Sequence, residues 1–268
     1  MHTIGTWYDV YLFDLDGTIY LGDELLPGAA RLLAGIRAEG KAVRFLSNNP
    51  TRDVAMYCEK LTGLGLAVAP EEVMNTVVVT RNWLLAHHPG ARLFVVGEEP
   101  LKRDLLAAGF ELSEDPAEID VVVASYDRQF DYRKLQIAFD AIWFHRRALL
   151  IQTNPDRFCP FPGGRGEPDC AAVTAAIEAC TGIRCSASLG KPSPLMLEAA
   201  ILGLDVPAER CIMVGDRLHT DIKMAVDCGA ASALVLTGES TRDDVRRLSA
   251  DERPTYVLER IDQLLPTA

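Results

Sequence analysis

The sequence predicts an α/β protein, a parallel-sheet core interrupted by a second, inserted α/β block. Three observations carry this reading. The apolar run Val10-Tyr11-Leu12-Phe13 stops abruptly at Asp14-Leu15-Asp16-Gly17-Thr18, as a buried strand of a parallel sheet does at its carboxyl end. Stretches of strand length and helix length then alternate along the whole chain, the pattern of βα units. Polar strand ends come early, at Asp14 and Ser47, and their partners Lys191 and Asp216 come late. If these share a site, the block between them is an insertion.

Taken in order, Tyr20 to Glu24 forms a polar turn, Pro27 starts a helix where proline is tolerated, and Gly40 ends it. Lys41 to Leu46 is the next strand. It ends at Ser47-Asn48-Asn49-Pro50-Thr51-Arg52, small polar residues with Thr51 placed to cap a helix over 51–64, which makes an anion pocket. Helices are expected over 70–87, 99–108, 132–146, 169–181, 193–203 and 219–228, with a last helical segment over 241–249. Strands are expected over 91–96, 120–125, 148–153, 210–214 and 232–236. The segment Asn154 to Pro168 reads as a loop of about fifteen residues, a length that is usually functional or mobile.

The chain of 268 residues can bury a full core, and its 49% hydrophobic and 24% charged content is that of an ordinary globular protein. A formal charge of −11 argues against nucleic-acid binding, which needs a basic footprint. No apolar run reaches the roughly 20 residues that span a bilayer. Met1 to Asp9 lacks the basic segment and apolar stretch of a signal peptide, so a cytoplasmic enzyme is expected. The seven cysteines (58, 159, 170, 180, 185, 211 and 228) include no Cys-x-x-Cys pair and read as reduced and mostly buried, Cys159 being the one expected to be exposed.

Two nucleotide motifs fail. Gly63-Leu64-Gly65-Leu66-Ala67-Val68 ends in valine where a dinucleotide fingerprint needs glycine or alanine, and the position five residues before Gly190-Lys191 is Cys185 rather than the glycine of a phosphate-binding loop. What remains is acidic. Asp14 and Asp16 close one strand, and Cys211-Ile212-Met213-Val214-Gly215-Asp216 closes another, with Asp221 at the start of the next helix. Buried together, such carboxylates repel one another unless a cation compensates them. Oxygen ligands favour a hard ion, and Mg²⁺ bridges carboxylates to phosphate. Lys191, Ser47 and the amides around Asn48 would meet the remaining phosphate oxygens, which points to phosphoryl chemistry.

In this order, Asp14-Leu15-Asp16-Gly17-Thr18, Ser47-Asn48-Asn49, Gly190-Lys191-Pro192 and Gly215-Asp216-Arg217-Leu218-His219-Thr220-Asp221 resemble the haloacid dehalogenase superfamily of phosphohydrolases. Ser47 to Arg52 together with Gly215 to Leu218 resembles its NagD-like branch of p-nitrophenylphosphatases, phosphoglycolate phosphatases and pyridoxal-phosphate phosphatases. Asn154-Pro155-Asp156 and Pro168-Asp169 are also similar. The resemblance implies a Rossmann-like parallel-sheet core domain over 1–79 and 188–268, with a large inserted α/β cap domain over 80–187. It implies a Mg²⁺-dependent phosphatase in which Asp14 is the nucleophile and Asp16 the proton donor and acceptor, with a pKa raised above the ~3.9 of free aspartate. Asp14, Asp216 and the backbone carbonyl of Asp16 would hold the metal, and Asp221 would support it from behind. Ser47, Asn48, Asn49 and Lys191 would bind phosphate. Within the cap, Arg128, Asn154, Arg157, Phe158, Phe161 and Arg165 are candidates for choosing the substrate, a small phosphorylated metabolite. The resemblance also implies homodimers paired through the cap. A phosphomutase and a non-catalytic phosphate sensor are the competing readings. The intact Asp14, Asp16, Lys191 and Asp216 weigh against the sensor, and the large cap weighs against the mutase.

Overall fold

The computed structural model describes Gly5, residues 7–161 and residues 164–266. The chain divides into two compact units, one made of Met1–Ser47, Val54–Met74 and Lys191–Ala268, the other of Asn48–Asp53 and Asn75–Gly190.

The first unit is built on a six-stranded sheet in the order Tyr256–Leu258, Ala231–Val235, Cys211–Gly215, Val10–Asp14, Ala42–Ser47, Val73–Asn75. The central strand Val10–Asp14 is parallel to both neighbours, with Phe13 opposite Val214 on one side and Phe45 on the other. Tyr11, Phe13 and Phe45 are fully buried and their rings run in series, with centroids 6.3 and 6.2 Å apart. Helix Ala29–Ala38 covers them with Ala29, Leu32, Leu33 and Ile36, a stripe at helical spacing. Because the central strands are covered on both faces, polar groups gather only where the strands end.

The second unit has its own parallel sheet, in the order Ala187–Ser188, Leu149–Gln152, Val121–Ala124, Arg92–Val96, Glu111–Leu112. Its core is separate, with Phe94, Val96, Val122, Ala138, Leu150 and Ile177 among its members.

Several sequence expectations are corrected. The segment 70–87 is not one helix. Pro70–Glu72 is a 3₁₀ turn, Val73–Asn75 an edge strand, and the α-helix begins at Thr76. Asn75 makes the break by accepting the Val78 amide at 3.1 Å, a cap hidden inside an apolar run that looked periodic. Thr51 does not cap a helix. Asn49 Oδ1 accepts both the Thr51 amide (2.9 Å) and the Thr51 hydroxyl (2.7 Å), and this turn delays the helix to Val54–Gly63. The helices expected over 132–146 and 219–228 each contain a π turn, at Asp140–Phe144 and Leu218–Ile222. The loop 154–168 holds an antiparallel hairpin pairing Phe158–Phe161 with Arg165–Pro168. Prolines are tolerated in an isolated ribbon because each strand has a free edge. Pro162 and Gly163, part of that expected loop, lie outside the described residues. All seven cysteines are free thiols, but only Cys170 and Cys211 are buried; Cys180 is the exposed one and Cys159 is half-buried. No helix among the described residues is long and apolar enough to cross a membrane.

Candidate active site

In the first unit, the strands Val10–Asp14 and Cys211–Gly215 run in parallel register, so their last residues arrive side by side. Asp14 is the final residue of one and Asp216 follows the other. The π turn over Leu218–Ile222 brings Asp221 back toward the same point, where its Oδ2 accepts the Arg217 amide at 3.1 Å. One carboxylate oxygen from each of Asp14, Asp216 and Asp221 lies within 4.8 Å of the others. Asp216 and Asp221 are almost wholly buried, as is Lys191, whose ammonium group donates to Asp14 and lies 2.8 Å from Asp221 Oδ1.

The glycines explain how the acids fit. A Cβ on Gly215 would lie 2.3 Å from the Asp221 carboxyl carbon, and one on Gly17 would lie 2.7 Å from Asp216 Oδ2. Gly17 also needs its left-handed backbone, at φ +84°. Each glycine therefore makes room for a carboxylate held against the main chain.

Burial and like charge act together on these groups. Burial pushes the Asp14 carboxyl above its usual range, with Lys191 pulling against that and Asp221 adding to it. Burial, and then the charges of Asp14 and Asp221, push Asp216 up to about 8, against the Glu239 amide and Arg217. Burial alone would discharge Lys191, but Asp14 and Asp221 outweigh it and hold the ammonium above the ordinary lysine range. Two buried oxygens of the group, Asp216 Oδ1 and Asp221 Oδ1, accept no hydrogen bond, the second lying 2.8 Å from the Lys191 ammonium as an ion pair. An all-oxygen donor set with an unpartnered buried carboxylate oxygen fits a hard divalent cation.

The other first-unit candidates occupy different surroundings. Asp16 is exposed and its carboxylate lies outside the three-acid group, whose third member is Asp221. Leu15, between the two acids, is buried and its carbonyl accepts the amides of Thr18, Ile19 and Tyr20. Ser47 is buried at the end of Ala42–Ser47, with its hydroxyl 2.7 Å from that of Tyr57.

The remaining candidates belong to the second unit. Asn48 donates to Asp156 at 2.8 Å, and its carbonyl accepts the Thr76 hydroxyl at 3.1 Å. Asn154 is fully buried and divides its amide between Asp156 (2.9 Å) and Asp169 (3.2 Å), so it is a structural tie there. Arg128 is engaged by both Glu98 oxygens, at 2.6 and 2.7 Å, and lies over the Tyr126 ring. Arg157 and Phe158 are exposed, and Phe158 packs beside Gly166 across the hairpin.

Sequence reasoning missed the segment Thr237-Gly238-Glu239-Ser240. The Glu239 amide donates to Asp216 Oδ2 at 2.7 Å, the Ser240 amide to the Asp216 carbonyl at 3.1 Å, and the Thr237 hydroxyl to the Gly17 carbonyl at 2.6 Å. The signal was present: small and polar residues follow the apolar strand Ala231–Val235, as Ser47-Asn48-Asn49 follows Ala42–Ser47.

The chain as a whole is similar to known phosphatases. Residues 11–111 match the model of haloacid dehalogenase-like hydrolases, and residues 188–264 match a second model of HAD-hydrolase-like proteins. The sugar-phosphatase AraL of Bacillus subtilis is 35% identical over 96% of this chain and 92% of its own. Chronophin of Rattus norvegicus is 34% identical over 95% of this chain and 86% of its own. The 4-nitrophenylphosphatase of Thermotoga maritima superposes with a TM-score of 0.89 at 34% identity, covering 96% of both chains. The glycerol phosphate phosphatase of Mycobacterium tuberculosis, solved in complex with magnesium, gives 0.86 at 30% identity over 98% of this chain and 78% of that one. The chain belongs to the haloacid dehalogenase-like hydrolases. Within them it is a phosphatase of the group formed by NagD and the p-nitrophenylphosphatases, with that group's α/β core and cap architecture.

Proposed function

We propose that the protein is a Mg²⁺-dependent phosphomonoester hydrolase that acts on a small phosphorylated metabolite, a sugar phosphate or related organophosphate, through an aspartyl-phosphate on Asp14. The observation that carries this is the buried group of Asp14, Asp216 and Asp221 around Lys191, with Asp216 Oδ1 left without a donor. Relatives named as a sugar-phosphatase and a 4-nitrophenylphosphatase support the substrate class.

Asp14, Asp216 and the backbone carbonyl of Asp16 would hold the ion, which when bound supplies positive charge beside the phosphoryl oxygens. Asp14 attacks phosphorus while the bond to the leaving oxygen breaks, and Asp16 gives that oxygen its proton. Asp16 then takes a proton from water, the water attacks the aspartyl-phosphate, and inorganic phosphate leaves with Asp14 restored. Lys191 supplies fixed charge to the phosphoryl group. Asp221 holds the lysine in place through its 2.8 Å ion pair. Ser47, with Asn48 and Asn49 directly after it in the chain, would bind the remaining phosphoryl oxygens. Arg157 and the hairpin carrying Phe158, Phe161 and Arg165 would favour some leaving groups over others. Arg128 would order that surface through Glu98. Free thiols suit a reducing compartment, and we place the enzyme in the cytoplasm.

The test is release of p-nitrophenol from p-nitrophenyl phosphate. Excess chelator should lower the rate at least about 100-fold, added Mg²⁺ should restore it, and Asp14→Asn should cost about 10³-fold or more while leaving the circular dichroism unchanged. Undiminished turnover in chelator, or a tenth of the rate surviving in Asp14→Asn, would overturn the proposal.

A further inference from the structure

We infer that Thr237–Ser240 is a strap that aims Asp216 at its cation, with Thr237 as the lock and Gly238 as the bearing surface. This inference rests on the magnesium reading of the site given above. Asp216 is 3% exposed, and its two oxygens are treated differently. Oδ2 accepts the Glu239 amide at 2.7 Å, whereas Oδ1 has no donor. The carboxylate lies close against two glycines: a Cβ on Gly238 would lie 1.9 Å from Oδ2 and 2.5 Å from the carboxyl carbon, and one on Gly17 would lie 2.7 Å from Oδ2. The amide bond to Oδ2 and the close approach of both glycines hold the carboxylate in this orientation. Its free lone pairs on Oδ1 are therefore committed to one direction, as a single-oxygen ligand.

The strap is itself fastened to each part of the site. The Thr237 hydroxyl donates to the Gly17 carbonyl at 2.6 Å, joining it to the loop that follows Asp14. The Ser240 amide donates to the Asp216 carbonyl at 3.1 Å, and the Ser240 hydroxyl accepts the Leu218 amide at 3.1 Å, joining it to the π turn that carries Asp221. Glu239 adds an ion pair to Arg217 at 3.1 Å. None of these residues needs to touch the ion or substrate. They are positioning residues, and they act through the direction of one carboxylate.

The consequence is a defect in metal affinity rather than in folding. Outer-shell partners of metal ligands are typically worth 10–100-fold in affinity. In calorimetric titration of the metal-free protein with Mg²⁺, Thr237→Val and Gly238→Ala should each raise the dissociation constant at least about tenfold. Thr237→Ser, which keeps the hydroxyl, should stay within about twofold of wild type. The rise in Tm caused by saturating Mg²⁺ should shrink in the same order, while the Tm of metal-free Thr237→Val stays near wild type. Activity at saturating Mg²⁺ should recover in Thr237→Val, so that the defect lies in the metal requirement and not in kcat. Wild-type affinity in both Thr237→Val and Gly238→Ala would overturn the strap while leaving the site intact. Absence of any Mg²⁺ binding by wild-type protein, in heat and in Tm alike, would overturn the site reading and the strap with it.

Discussion

Asp14 and Asp16 stand one residue apart and meet opposite environments. Asp14 is held by Lys191 inside a group of three acids, whereas Asp16 faces solvent and lies outside that group. This contrast suits two roles, since a nucleophile must stay fixed and ionised while a proton donor must reach the leaving group and exchange protons with water. Asp16→Asn should therefore cost about 10²–10⁴-fold on an alkyl phosphate, whose leaving oxygen needs a proton. On p-nitrophenyl phosphate, whose leaving group departs unprotonated, the loss should be less than about tenfold. Paired steady-state rates on the two substrates check this, and equal losses would remove Asp16 from the proton transfer. At the same scale, the motif acids were legible because carboxylates ending apolar strands are costly without a partner. Gly238 and Glu239 were signalled only by their place after an apolar strand, because what reaches Asp216 from them is a missing side chain and a backbone amide.

The strand Val10–Asp14 is aligned by its other end. Asp9 accepts Lys41 at 2.9 Å and the Arg210 guanidinium at 2.7 and 2.6 Å, the residues just before strands Ala42–Ser47 and Cys211–Gly215. Backbone bonds reinforce this, Asp9 to the Arg210 carbonyl and Ala42 to the Asp9 carbonyl. With the three strands in register at the start, Asp14, Ser47 and Gly215 arrive together at the finish. The Arg210 and Lys41 bonds lower the Asp9 carboxyl from 3.8 to about 2. A lowered acid means that the unfolded chain binds more protons between those values. The stabilisation is thus complete above about pH 4 and is lost as pH falls toward 2. Asp9→Asn should be less stable than wild type at pH 7, and the gap should close on acidification toward pH 2. Urea midpoints across that range check the sign. Other elements resisted reading for local reasons. Val73–Asn75 is three residues long and runs directly into its own helix cap, and the hairpin from Phe158 carries prolines and glycines that signal a loop.

At the scale of the whole molecule, two sheets bury two separate cores, and the three-acid group lies wholly within the unit containing Lys191–Ala268. A ligand that binds only the native form stabilises the part of the molecule to which it is attached. Magnesium should therefore slow amide hydrogen exchange in Val10–Asp14 and Cys211–Gly215 and leave Val121–Ala124 and Leu149–Gln152 unchanged. Exchange mass spectrometry with and without the ion tests this, and uniform protection of both sheets would argue against a site confined to the first unit.

The amino-acid sequence by itself determined the α/β class, the interruption of one sheet by another block, and the identity of the acids and lysine that collect at the strand ends. Those follow from local rules, namely which residues can be buried in a strand and which can only stand at its end. Tertiary structure alone decided that Asp221 rather than Asp16 completes the carboxylate group, that Arg128 is committed to Glu98, and that the loop presenting its amide to Asp216 is fastened to Gly17, 220 residues away in the chain. Such choices depend on register, on a π turn and on distances between segments remote along the chain, and no window of sequence contains them.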